Sequence, residues 1–242
     1  MGIRSLLSKP LAKWVVNDQK KWALNPGKFQ SNLFRKLIKS GSKTQFGRDH
    51  QFDEIQNHTD FTQRVPIRDY EELKPYINEI LKGKKDVLWP GIPAYLAKTS
   101  GTTSGVKYIP ITKDSIPNHI NSARNALLSY VNETGNSTFL DKKLIFLSGS
   151  PTLTYTSGIP TGRLSGIVNH LVPAYLKSNQ LPSYPTNCLE DWEQKVDQIV
   201  LETENQDLSL ISGIPPWVQM YFDKLVSRKG KSIKDIFPNF SL

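Results

Sequence analysis

The sequence predicts an α/β fold, a largely buried sheet with helices packed on it. Helical-period apolar patterns alternate with short, continuous apolar runs along the 242 residues, with no internal repeat and no long linker. Two of those runs, Leu144–Leu147 and Leu208–Ile211, have the length of buried strands. A stretch of only hydroxyl and glycine residues, Thr99–Gly105, stands between two β-prone segments, Tyr95–Ala97 and Tyr108–Ile109.

Residues 1–16 mix Ile3, Leu6, Leu7, Leu11 and Trp14 with Arg4, Lys9 and Lys13, too interrupted for a signal-peptide core. A helix docked on its own domain is the expectation, and a membrane-surface helix is the lesser alternative. Phe29, Leu33, Leu37 and Ile38 share one face of a second helix, with Pro26 near its start and Gly41 past its end. Asp69-Tyr-Glu-Glu72 resembles a capping box leading into Leu73, Ile77, Ile80 and Leu81, and Pro75 is expected to kink or restart that helix. Ile120, Ala123, Leu127, Leu128 and Val131 mark a helix after the hydroxyl stretch. Trp192, Val196, Ile199 and Val200 mark another. Pro215 opens what reads as the last helix, which ends near Gly230.

Composition narrows the function classes. A hydrophobic content of 38% supports a buried core. The single cysteine, Cys188, excludes an internal disulfide framework and a Cys-rich zinc site, and the histidines lack metal-ligand spacing. No stretch approaches a transmembrane helix, so the cytoplasm is the default compartment. The net charge of +9 would suit nucleic acid, but the basic residues are dispersed and no nucleic-acid-binding motif accompanies them. A solvated basic surface accounts for them better.

The hydroxyl stretch is the main candidate site. Gly101 and Gly105 let backbone N–H groups approach a ligand closely. Thr99, Ser100, Thr102, Thr103 and Ser104 add donors, and Lys107 adds a point charge. Together they suit a polyphosphate. The spacing is neither Gly-x-x-x-x-Gly-Lys-[Ser/Thr] nor Gly-x-Gly-x-x-Gly. A plain flexible loop is the competing reading, as a solvated strand-end lysine is for Lys107, and chemistry alone leaves both open.

Thr99–Lys107 resembles the signature of adenylate-forming enzymes: two small residues, Gly, Ser/Thr, a small or acidic residue, a small residue, any residue, an aliphatic residue or Pro, and Lys. Val65-Pro66-Ile67 with Tyr70–Ile77, then Ser157–Arg163 and Ser212–Trp217, resemble in order the surrounding segments of the auxin-responsive acyl-acid–amido synthetases, in their bacterial-type members. The likeness runs from about Phe29 to the end.

The resemblance implies part of the large N-terminal domain of an adenylate-forming enzyme, with residues 1–64 as a helical segment packed on it. It implies ATP with Mg2+, adenylation of a small-molecule carboxylic acid, and transfer of the acyl group to an amine such as an amino acid. It places phosphate contacts at Thr99, Ser100, Gly101, Thr102, Thr103, Ser104, Gly105 and Lys107. It places an acyl pocket near Arg124, Ser157, Gly158, Ile159, Arg163, Leu164, Ser212 and Gly213, where surface exposure of the arginines and ordinary core packing are the competing readings. No residue is assigned to a metal or to a catalytic step. Members of that family are much longer, so the expectation is an N-terminal portion, without ligase turnover by itself. A non-catalytic nucleotide- or acyl-acid-binding protein, or a basic nucleic-acid-binding protein, is the alternative.

Overall fold

The structure, a computed structural model, describes residues 2–99, 105–172 and 177–241. The chain divides into two compact units, each discontinuous in sequence. One comprises residues 18–118 and 153–164, the other residues 1–17, 119–152 and 165–242.

The first unit is built on a four-stranded sheet. Strands β1 (Tyr95–Lys98), β2 (Tyr108–Ile111), β4 (Thr154–Thr156) and β5 (Ile159–Arg163) lie in the order β2-β1-β5-β4. β1 is antiparallel to β2 and parallel to β5, and β4 and β5 form an antiparallel hairpin. Ile80 and Val87 pack with Leu96 and Ile159 in a core against which Tyr76, Leu81, Leu88 and Tyr108 rest.

Helices α2 (Pro26–Gly41), α3 (Gln45–Asp49), α4 (His58–Arg64) and α5 (Tyr70–Leu81) precede the sheet. The capping box of α5 forms as predicted. Asp69 accepts from the Glu72 N–H at 2.9 Å, and Glu72 accepts from the Asp69 N–H at 2.9 Å. Pro75 does not divide α5, which runs through it as one helix and forgoes one backbone bond there.

The predicted buried face of α2 needs correction. Phe29, Leu33 and Leu37 are exposed, and only Ile38 of the four is buried. The packing face is rotated toward Phe34, Ile38 and Gly41, which with Phe46, Phe52 and Phe61 line an aromatic cavity of about 290 Å³.

The second unit holds a three-stranded, all-parallel sheet in the order β6-β3-β7. Its strands are β3 (Lys143–Phe146), β6 (Gln180–Leu181) and β7 (Leu208–Ser212). A parallel sheet needs cover on both faces. Leu144 and Leu210 meet Ala12 and Val15 of α1 (Ile3–Leu24) and Leu128 and Val131 of α6 (Ile116–Thr134). Ile145, Leu147 and Leu208 meet Val196, Ile199 and Val200 of the helix Trp192–Thr203, and Tyr221 and Leu225 of the helix Pro215–Lys229. With α7 (Leu164–Leu171) and α8 (Tyr184–Asn187) between, those two helices are α9 and α10. α10 ends as predicted at Gly230, whose φ of 63° lies in the left-handed region. It is not the last helix, since Ser232 caps a further turn, α11 (Ile233–Ile236).

The amino-terminal stretch is helical, and it docks through two serines with Ala12, Val15 and Val16 rather than through its larger apolar residues. Ser5, Ser8, Ala12, Val15 and Val16 are buried, whereas Ile3, Leu6, Leu7, Leu11 and Trp14 face outward. The Ser5 and Ser137 hydroxyls bond at 2.7 Å, and the Asp141 carboxylate accepts from the Ser5 and Gly2 N–H groups.

Tyr221 is wholly buried, with its hydroxyl 2.9 Å from that of Thr203. Burial pushes its pKa up from 10.0 to about 12, against a smaller lowering by Thr203. A raised folded-state pKa gives stability that is fully present below the unfolded value and lost as pH rises through the folded one. Two units correspond to about 2–3 kcal/mol. Denaturant unfolding measured from pH 10 to about 12 should therefore show a loss that Tyr221→Phe diminishes; identical pH profiles for the two proteins would contradict the assignment.

Candidate functional site

The hydroxyl stretch joins two antiparallel strands, as its flanks predict. Lys98 pairs with Tyr108 across β1 and β2, and the Thr99 N–H donates to the Lys107 carbonyl at 3.0 Å. Ser100, Gly101, Thr102, Thr103 and Ser104 lie outside the described residues. At the far side Gly105 has φ of 79°, in the left-handed region that favours glycine, and a Cβ placed there would meet no described atom within 4 Å.

The strands supply cations around this turn. Lys107 lies with Nζ 5.2 Å from the centre of the Tyr70 ring. The Tyr70 hydroxyl accepts from the Tyr108 N–H at 2.8 Å, so the first residue of α5 braces both the lysine and the start of β2. On the other flank, parallel pairing sets Lys98 beside Arg163 at the carboxyl ends of β1 and β5. Lys98 Nζ donates to Thr154 Oγ1 at 3.1 Å. Among the described residues, none of Lys98, Lys107 and Arg163 takes part in an ion pair. Lys98 and Tyr70 were not singled out by sequence reasoning. The signal for Lys98 was its position at the strand end opening the turn; no pattern marked Tyr70 as a brace.

The structure does not gather all the predicted acyl-pocket residues. Arg163 and Leu164 stand at the carboxyl end of β5, beside the hydroxyl turn. Ser157 and Gly158 form the β4–β5 turn at the opposite end, with φ of 47° and 79°, and Ser157 Oγ donates to the Leu81 carbonyl at 2.6 Å. Ile159 is a core residue. The length of β5, roughly 13 Å at strand rise, separates these three from Arg163. Arg124 is exposed on α6, its guanidinium held by the neighbouring Asn125 side chain at 3.0 Å.

Ser212 ends β7 and Gly213 follows it, in the unit of the three-stranded sheet. The Leu147 N–H donates to the Ser212 carbonyl at 2.8 Å, and a Cβ on Gly213 would come within 2.8 Å of Leu147 Cβ. Glycine is thus required by close approach. The Ser148–Ser150 turn follows the parallel neighbour β3, so both turns share one carboxyl edge, where open α/β sheets place ligands. Lys195 of α9, 2% exposed, donates to the Ser148 carbonyl at 3.0 Å and to that of Asn187 at 2.6 Å. On the sequence it reads as an ordinary helix-surface lysine.

Among the described residues, no three His, Cys, Asp or Glu side chains gather to hold a metal ion. No helix among them is long and apolar enough to cross a membrane.

Comparison with known proteins follows the same lines. A family model described as the GH3 family N-terminal domain matches residues 16–198. The 4-substituted benzoates–glutamate ligase GH3.12 of Arabidopsis thaliana is 21% identical over 194 residues, covering 78% of this chain and 32% of that protein. The indole-3-acetic acid–amido synthetase GH3.15 of the same plant is 24% identical over 194 residues, covering 78% and 31%. The solved structure of the AtGH3.15 acyl acid amido synthetase in complex with 2,4-DB superposes with a TM-score of 0.69 at 17% identity, over 93% of this chain and 42% of that one. The fold is therefore that of an acyl acid amido synthetase's amino-terminal region. This chain belongs to the GH3 family, and it spans about a third of the length of those curated relatives.

Lys195→Met removes a charged donor shared by two carbonyls. It should destabilise the chain by at least about 2 kcal/mol, read as a lower urea midpoint. An unchanged midpoint would mean that the Ser148 and Asn187 carbonyls find other donors.

Proposed function

We propose that this chain carries the phosphate-binding part of an ATP-dependent ligase, which activates a carboxylic acid as its acyl-adenylate and passes the acyl group to an amine such as an amino acid. On this reading residues 1–242 are part of the large N-terminal adenylation domain, with 1–64 as its helical segment, and the protein works in the cytoplasm. The substrate classes are those carried in the names of the relatives, a small organic acid and an amino acid. The observation that supports the reading most is the set of cations Lys98, Lys107 and Arg163, none with a carboxylate partner among the described residues, around the connection between β1 and β2 that carries Gly105.

The chemistry sets the task. A carboxylate must approach the α-phosphate of a polyanion, and two like-charged groups meet only where fixed donors and cations offset their repulsion. Backbone N–H groups and hydroxyls of Thr99–Gly105 would hold phosphate oxygens, the glycines admitting close approach and Lys107 adding charge at one side. Arg163 and Lys98 would offset charge at the other. Mg2+ bound with the nucleotide would supply further neutralisation, and no described residue is assigned to hold it. Displacement of AMP by the amine needs the adenylate shielded from water, a role for segments beyond this turn.

The test is acid-dependent exchange between pyrophosphate and ATP, run on the full gene product with a panel of carboxylic acids. Exchange with at least one acid is expected, and none with any would sink the reading. Thr102→Ala with Thr103→Ala should lower kcat/KM for ATP by about 10²–10⁴-fold, from two lost hydrogen bonds to a charged group. Unchanged ATP kinetics would remove both residues from the site. Residues 1–242 alone should show no sustained turnover, and acid-dependent ATP consumption by that chain would overturn the domain assignment.

A further inference from the structure

The outward face of α1 is the opposite of a core-packing face. Its buried side carries small and hydroxyl residues, Ser5, Ser8 and Ala12, followed by Val15. Its large apolar side chains, Ile3, Leu6, Leu7, Leu11 and Trp14, are each between 43% and 74% exposed. They fall at helical spacing and so form one continuous stripe. Lys9 and Lys13, one turn apart, run along one margin of it, and both are exposed. Arg4 stands on the other margin, bonded to Ser178. Neither lysine has an ion-pair partner among the described residues, and no acidic residue precedes Asp18 in the chain. Asp141, a carboxylate at this end of the helix, is engaged by the Gly2 and Ser5 N–H groups.

We propose that this face of α1 lies on an anionic lipid surface and makes the protein a peripheral membrane binder. The stripe would enter the boundary between headgroups and acyl chains, Trp14 would sit at headgroup level, and Lys9 and Lys13 would reach anionic headgroups. Charge complementarity favours this occupant over a second copy, which would bring the same lysines together on a chain of net charge +9. The proposal is independent of the ligase reading. The family match begins at residue 16, beyond every residue of the stripe.

The test is sedimentation of the purified chain with vesicles of phosphatidylcholine alone, and of phosphatidylcholine with one third phosphatidylserine. Binding should be at least about tenfold tighter to the anionic vesicles and should weaken with added salt. Lys9→Glu with Lys13→Glu, and separately Leu7→Gln with Trp14→Gln, should each reduce it about tenfold or more while leaving the thermal midpoint unchanged, because all four side chains are exposed. Failure to bind, equal binding to both vesicle types, or insensitivity to both double variants would overturn the proposal. So would equal binding to soluble polyglutamate, which would point to an acidic protein partner. A dimer dissolved by the Leu7/Trp14 variant without lipid binding would assign the face to a second copy. Lipid binding by residues 1–242 that is lost in a longer product of the gene would assign it to an internal interface.

Discussion

The pairing of β1 is the constraint on which the candidate site depends. This one short strand is antiparallel to β2 and parallel to β5. The antiparallel pairing, continued by the Thr99–Lys107 hydrogen bond, requires the chain to reverse direction between those two residues. The parallel pairing sets the carboxyl end of β5 beside the same point, and so delivers Arg163 there. A one-residue slip of register would send Lys98 and Arg163 to the other face of the sheet and leave the turn without its flanking charge. Leu96 and Ile159, buried in the core of that unit, resist such a slip because it would withdraw their side chains from that core.

The three-stranded sheet is governed differently. Its strands are parallel and covered on both faces, so the core residues come from four helices distant in sequence. The buried polar groups inside it include Lys195, with Thr203 and Ser209. A charge so deeply buried persists only when its donors are matched, and the two carbonyls it reaches belong to the turn after β3 and to the end of α8. The lysine thereby fixes a turn at the carboxyl edge of the sheet, where backbone groups would otherwise lack partners.

Much of this was legible in the sequence because it is local. The strand–turn–strand around Thr99–Gly105, the capping box at Asp69 and Glu72, the glycine stop at Gly230 and the two buried runs at Leu144 and Leu208 rest on neighbouring residues. What was not legible is set by tertiary contact. Apolar periodicity identified α2, but its packing face is rotated: Leu37 and Ile38 line the aromatic cavity with Phe34, whereas Phe29 and Leu33 are exposed. On α1 the docking face is made of serines with Ala12, Val15 and Val16, while the larger apolar side chains face outward. The resemblance groups Ser157 with Arg163, and the extended strand β5 lies between them. Lys195 was missed because a lysine within an amphipathic helix carries no signal of its own burial.

The interleaving of the two units has a practical consequence for dissecting the molecule. The chain passes from one to the other at 17/18, 118/119, 152/153 and 164/165. No single cut yields two intact halves, and a gene segment that ends before residue 153 lacks β4 and β5, half of the four-stranded sheet. On the ribosome, β1, ending at Lys98, must therefore wait until Ile159 for its parallel neighbour β5 to begin to emerge. A clean excision of either unit calls for a rewired chain, with new linkers or a permuted order, rather than a shortened one.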